Sequence, residues 1–117
     1  MNEIENPPHN PEAEEAVLAC CLLEDTPDNY NSVTEFVADD DFFIYRHQCL
    51  FRAISKLVED RLPLDEIHLT EQLIRDNNLD EVGGVGAILR IMNRVETSGH
   101  LKHFAEIVKE KANLRKM

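Results

Sequence analysis

The chain has 117 residues, of which 43% are hydrophobic, and a formal net charge of −11. This length suits one domain with a single buried core and leaves no room for a second. The acidic balance disfavours direct binding to nucleic acid, because phosphates repel such a surface. No apolar run approaches the roughly 20 residues needed to span a bilayer, and the N-terminus lacks the basic-then-apolar pattern of a secretory signal. We therefore expect a soluble, cytoplasmic protein whose three cysteines stay reduced.

The charge is unevenly spread along the chain. Residues 1–45 carry twelve carboxylates and no Lys or Arg, whereas residues 102–117 carry five basic residues against two acidic ones. Such runs are usually solvated faces, but an acidic front and a basic tail can also orient subunits or attract a basic partner. Charge alone leaves both interpretations open.

Prolines and capping residues mark the start of the ordered chain. Residues 1–9 contain two prolines, show no periodicity and are predicted to form a flexible arm. Asn10 can cap a helix whose first position is Pro11, and the apolar spacing carries this helix to about Leu23. The ordered domain is therefore expected to span residues 10–117.

Three further helices are predicted in the middle of the chain. A short helix over residues 28–37, capped by its first or second residue, is broken by Asp39–Asp41. A central core helix follows over residues 45–60, because its apolar positions recur at spacings of three and four. Asp65 can cap the next helix, which Asn77–Asn78 should end.

Two more helices complete a predicted all-α bundle of about six. Gly83–Gly84 permits a tight turn into the fifth. Its apolar stripe is formed by Val85, Ile88, Leu89 and Met92. Thr97 or Ser98 is expected to cap the last helix. Its apolar face holds Leu101, Phe104, Ala105 and Val108. Because this stripe continues through Ala112 while the other face is basic, we expect the last helix to extend beyond the globule and meet a partner.

Residue patterns that would carry chemistry are nearly absent from the sequence. No Gly-rich loop ends in Lys-Ser or Lys-Thr, so the chain alone is not expected to hydrolyse ATP. His100 and His103 could share a metal, but no third ligand has a recognisable spacing. Asp39–Asp41 favours a turn over a calcium loop, and Cys20–Cys21 favours a close helix contact over a reactive thiol. His47 is interpreted as a helix-start or core histidine rather than a base. We assign no catalytic, cofactor-binding or metal-binding residue.

Six groups of residues follow one another along the chain in a distinctive order. They are Pro8-His9 with Glu12-Ala13-Glu14 and Val17-Leu18; Asp41-Phe42-Phe43; His47 with Leu50-Phe51 and Ile54; Pro63-Leu64-Asp65; Leu79 with Val82-Gly83-Gly84; and Phe104-Ala105 with Ile107-Val108, Glu110-Lys111-Ala112 and Arg115. Together they resemble the amino-terminal domain of bacterial replicative DNA helicases of the DnaB type, over nearly the whole chain.

The resemblance implies a non-catalytic helical head that takes part in DNA replication. In that family the heads form a collar of dimer pairs above a hexameric ATPase ring, and the collar receives primase and, in some systems, a helicase loader. The last helix here would begin a helical hairpin. The second arm of the hairpin, the linker and the motor would lie beyond this chain, and ATP and Mg²⁺ are expected only in that motor. The implied partners are other helicase subunits, primase and a loader, with little DNA binding and no membrane contact.

Four residues are candidates for partner binding. Residue-by-residue transfer from the family gives Glu12. Ala87 stands where many members place a Tyr shortly after the Gly pair, so a primase contact made through that aromatic would lose its area and hydroxyl. Asp65 and Glu66 are added from their position at an exposed helix start. The apolar face of the last helix supplies candidates for an interface between subunits: Leu101, Phe104, Val108 and Ala112.

Other roles remain open on the sequence. A free-standing regulator that mimics this head and inhibits helicase assembly is compatible with the length and charge. The helicase-binding domain of a primase resembles the head in architecture, although the order from Pro-His to Glu-Lys-Ala fits the helicase better. An enzyme with its own active site ranks last, because nucleophile, base and cofactor loop are all missing.

Overall fold

The computed structural model describes residues 6–117. These residues contain seven α-helices and no β-strand. The helices are α1 (Pro11–Cys21), α2 (Asp28–Val33), α3 (Tyr45–Glu59), α4 (Glu66–Arg75), α5 (Leu79–Val82), α6 (Gly84–Met92) and α7 (Leu101–Arg115), with a 3-10 turn at Asp39–Asp41. The predicted all-α bundle is confirmed.

Helix α1 lies at the centre of the bundle and contacts α2, α3, α6 and α7. It begins as predicted, with Pro11 at its first position and the side chain of Asn10 accepting the N–H of Ala13 at 3.0 Å. Its residues 16–21 are all buried, and four of them are alanine or cysteine. These small side chains let the neighbouring helices approach α1 closely.

Helices α3 and α4 lie where the sequence predicts them. The apolar face of α3 is buried through Leu50, Ile54 and Leu57. The side chain of Asp65 accepts the N–H of His68 at 2.8 Å and so caps α4 as predicted. After α4, Asn77 adopts a φ of 61° and ends the helical path.

The predicted caps of two helices are wrong. Helix α2 follows Pro27 without a side-chain cap and ends at Val33, four residues before the predicted end. Helix α7 begins at Leu101, and neither Thr97 nor Ser98 caps it through a side chain. The hydroxyl of Thr97 instead accepts the N–H of Gly99, which stabilises a turn before the helix.

The segment around the glycine pair also differs from the prediction. A one-turn helix, α5, precedes the glycines and was not expected, and Gly83 then adopts a φ of 100° that reverses the chain into α6. Helix α6 buries Ile88 and Ile91, whereas Val85 and Leu89 of the predicted stripe are exposed. The buried face is rotated because α6 packs on both α1 and α4.

Helix α7 folds back along α1 instead of leaving the globule. Its side chains Ala105, Val108 and Ala112 are buried, so the predicted extension beyond the globule is wrong. At its C-terminal end Arg115 donates to the carbonyl of Pro8 at 2.9 Å. The predicted arm thus divides: residues 1–5 lie outside the described residues, whereas the exposed Pro8 is held to α7 through its carbonyl.

Candidate functional site

Glu14 on α1 caps the start of α3 from across the core. Glu14 as a whole residue is 1% exposed, and no side chain of α3 itself caps that helix. Oε2 accepts the N–H of Phe43 at 2.7 Å, and Oε1 accepts the N–H of Ile44 at 3.3 Å. Oε1 also lies 2.7 Å from Nδ1 of His47. One buried carboxylate therefore satisfies two backbone donors and an imidazole of another element.

The surroundings of Glu14 keep its carboxylate charged. Burial raises the pKa of Glu14, but the hydrogen bonds from His47, Phe43 and Ile44 outweigh burial and lower the pKa below its ordinary value. His47 is fully buried near the start of α3, the position predicted for a core histidine. Within residues 6–117 its Nε2 has no hydrogen-bond partner, and it lies 4.0 Å from Oε2 of Glu15. The imidazole is therefore held between two carboxylates.

Glu15 extends this network to the far side of α1. Its carboxylate lies 3.1 Å from Nη1 of Arg90 and 3.4 Å from Nε of Arg94. Both arginines are exposed, so these pairs contribute little stability by themselves. They do connect α1 to α6 and to the segment that follows α6.

A second polar cluster, around Asp41, holds the end of α7. The buried Asp41 carboxylate accepts the N–H of Ala38 at 2.8 Å and lies 3.2 Å from the ammonium groups of Lys109 and Lys116. Burial raises the pKa of Asp41, but the Ala38 N–H and the two ammonium groups outweigh burial and lower the pKa below its ordinary value. The predicted turn at Asp39–Asp41 is thus an anchor for α7.

Arg115 joins the C-terminal end of α7 to the 3-10 turn and to Phe43. It donates to the carbonyl of Asp41 at 2.6 Å, and its guanidinium lies 5.3 Å from the ring centroid of Phe43. The ring of Phe43 in turn lies 4.3 Å from that of His9. Segments that carry the family resemblance at opposite ends of the sequence therefore meet at one corner of the fold.

The residues considered for metal or thiol chemistry are dispersed or inaccessible. Across residues 6–117 no three His, Cys, Asp or Glu side chains are grouped so as to hold a metal ion. His100 and His103 are exposed beside the ring of Phe104. Cys20 and Cys21 are unpaired and buried, and burial raises the pKa of both thiols.

The four predicted partner-binding residues lie on, or at the cap of, three different helices. Glu12 is exposed at the rim of a groove of about 370 Å³, whose lining includes Arg94 and Phe104. The carboxylate of Asp65 lies 2.8 Å from Nδ1 of His68, next to the half-buried Glu66.

Ala87, the fourth of these residues, lies in the first turns of α6. A Cβ added to Gly83 would lie 3.0 Å from that of Ala87, so this part of α6 closes over the glycine turn. The fold does not gather the four residues on one element; Glu12 alone borders a groove of this size with an apolar lining.

Most of the residues predicted to form an interface between subunits are buried inside this chain. Leu101, Val108 and Ala112 are at most 6% exposed and belong to the α7 face that packs on α1. Phe104 is half-buried and lines the groove beside Glu12. The three buried residues would reach another subunit only if α7 left α1, and their role in an interface between subunits stays a prediction.

Sequence reasoning missed two exposed isoleucines on α4. Ile67 is 67% exposed and Ile74 is 52% exposed, on the side of the helix opposite the buried Leu69 and Leu73. The signal was present in their spacing of seven residues, which places them on one face.

No helix in the described part of the chain has the length and apolar character to cross a bilayer.

Comparison with known proteins agrees with this fold. The family model for the DnaB-like helicase N terminal domain matches residues 6–110. The chain is 35% identical over 111 residues to the replicative DNA helicase DnaC of Bacillus subtilis, and 32% identical over 115 residues to the replicative DNA helicase DnaB of Haemophilus influenzae. These matches cover 95% and 98% of the chain but only 24% of each helicase.

A solved structure gives the same result. The crystal structure of the N-terminal domain of DnaB helicase from Mycobacterium tuberculosis superposes with a TM-score of 0.89 at 32% identity, covering 95% of this chain and 76% of that one. Sequence and fold thus agree over almost the whole of the described residues. The chain belongs to the family of DnaB-like helicase N-terminal domains.

Proposed function

We propose that this chain is the assembly and docking domain of a replicative DNA helicase, acting through contacts with other subunits, with primase and with a loader. The observation that carries the proposal is the joint match of family and fold, with a TM-score of 0.89 to a DnaB N-terminal domain over 95% of the chain. The net charge of −11 supports protein partners over direct DNA contact, because tight DNA binding requires clustered cations.

The mechanism we propose is geometric. Asp41 and Arg115 fasten the end of α7 to the 3-10 turn and to Pro8, so the head and its last helix behave as one body. A rigid head presents the same surface in every subunit, which is what a closed symmetric ring requires. An ATPase domain of the helicase would then carry out unwinding, and ATP and Mg²⁺ would bind to that domain.

The groove beside Glu12 is our candidate contact for a partner. Phe104, Ile107 and Val95 line it with apolar surface. Glu12 and Arg94 stand at its edges with opposite charges. An apolar floor with a charged rim is typical of protein interfaces, in which the buried centre supplies affinity and the rim supplies orientation.

Calorimetric titration of the chain with primase from the same organism tests this role. We expect measurable heat, with Glu12→Ala weakening binding several-fold and Glu106→Ala, on the exposed side of α7, leaving it unchanged. Sedimentation over a range of concentrations tests self-association. Absence of heat with both the chain and the assembled helicase would refute the docking role, and a monomer at every concentration would refute assembly by this domain alone.

A further inference from the structure

The outward face of α4 combines apolar and acidic side chains in helical register. Ile67, Glu71 and Ile74 are exposed at spacings of four and three residues, so they form one stripe along the helix. The opposite face is buried through Leu69, Gln72 and Leu73. The helix is thus fully anchored in the bundle by one side, and the stripe is not needed to hold it there.

The segment of the chain that contains this stripe is strongly acidic. Residues 59–81 carry eight carboxylates and only two arginines. The other acidic stretch, residues 24–40, contains no exposed large hydrophobic side chain. Negative charge and exposed large aliphatic side chains therefore occur together at α4, whereas residues 24–40 are acidic without exposed large aliphatic side chains.

A recess lies at the C-terminal end of the same stripe. It has a volume of about 140 Å³ and is lined by Ile74, Asn77, Leu79 and Asp80. Aliphatic walls next to a carboxylate suit the stem and the charged end of a Lys or Arg side chain. The recess is therefore matched to one long basic side chain.

From these observations we propose that the outward face of α4 binds a basic amphipathic helix of a partner protein. The apolar side of that helix would pack on Ile67 and Ile74, its basic residues would face Glu71, and one Lys or Arg would enter the recess at Asp80. Anchors repeated along one face are the usual way in which an amphipathic helix is recognised. The inference rests on the proposed docking function and assigns it a surface and a partner chemistry.

The test uses a synthetic helical peptide with leucines on one face and lysines on the other, titrated into the ¹⁵N-labelled chain and followed by chemical-shift mapping. We expect the shifts to centre on α4 and on the recess, and a peptide with glutamate in place of lysine not to bind. Each of Ile67→Ser and Ile74→Ser should raise the Kd at least about fivefold. Glu71→Lys should raise it strongly at low salt and less at high salt.

Matched controls lie on α7. Leu114→Ser removes an exposed leucine and Glu110→Lys reverses an exposed charge, and neither should change the Kd beyond about twofold at moderate salt. Shifts centred on residues 24–40, or unchanged affinity in both isoleucine variants, would overturn the inference. Because primase binding is measured separately, failure here with primase heat present would leave the docking role intact. All the substituted side chains are exposed, so each variant is expected to fold, and circular dichroism of each variant is the check.

Discussion

Replacing Glu14 by alanine removes the cap that α1 provides to α3. The carboxylate accepts hydrogen bonds of 2.7 Å and 3.3 Å from the N–H groups of Phe43 and Ile44, and it lies 2.7 Å from His47 Nδ1. In Glu14→Ala these groups lose their partner inside the fold. An unsatisfied buried donor costs about 1–3 kcal/mol, so we expect the free energy of unfolding to fall by about 4 kcal/mol. This is a large share of the roughly 5–15 kcal/mol by which such domains are stable.

Two further variants separate capping from general damage. Glu14→Gln keeps the size of the side chain and one acceptor oxygen but loses the charge, so it should cost about 2 kcal/mol. Glu12→Ala removes an exposed glutamate from the same helix and should change stability by no more than about 0.5 kcal/mol.

Guanidinium denaturation at pH 7, followed by far-ultraviolet circular dichroism at one wavelength, measures the free energy of unfolding of all three variants. The slope against denaturant should stay constant, because the surface exposed on unfolding is the same. A loss of less than about 1 kcal/mol in Glu14→Ala would refute the conclusion that this carboxylate organises the start of α3.

Three other predictions concern charge, backbone and thiols. In the folded protein the pKa values of Glu14 and Asp41 lie below their ordinary values, so as the pH falls these carboxylates are protonated in the unfolded chain before they are protonated in the fold. The stability that the two carboxylates contribute is therefore present above about pH 4.5 and is lost at lower pH. Asp41→Asn should therefore cost about 1–2 kcal/mol at pH 7 and reduce the acid sensitivity, measured as the unfolding midpoint against pH; an unchanged pH profile would contradict this. Gly83→Ala should cost about 1–2 kcal/mol because of its φ of 100° and a Cβ contact of 3.0 Å, whereas Gly86→Ala, in open space on α6, should gain up to about 1 kcal/mol; equal effects in thermal denaturation would argue against a backbone cause. The three cysteines are fully buried, so a thiol reagent should label the native protein far more slowly than the unfolded chain, and rapid native labelling would show that the core opens.

Local patterns in the sequence were sufficient for much of the secondary structure. The caps at Asn10 and Asp65 are hydrogen bonds between residues three positions apart, so the local sequence is enough to predict them. The core face of α3 follows from its helical spacing. The ordered groups that resemble the DnaB family predict the correct family, because they sample nearly the whole chain. Short elements were harder: α5 has a single turn and too few residues to show a period.

Other features were decided only by packing between distant residues. Glu14 and His47 are 33 positions apart, and Asp41 and Lys116 are 75 apart, so no local pattern relates them. The apolar stripe and basic face of α7 predict a helix that leaves the globule. In the fold, the stripe packs on α1 and the basic C-terminal end forms an ion pair with Asp41, so α7 lies along the core. The periodicity of a helix states that one face will be buried; which neighbour buries it depends on how the whole bundle closes.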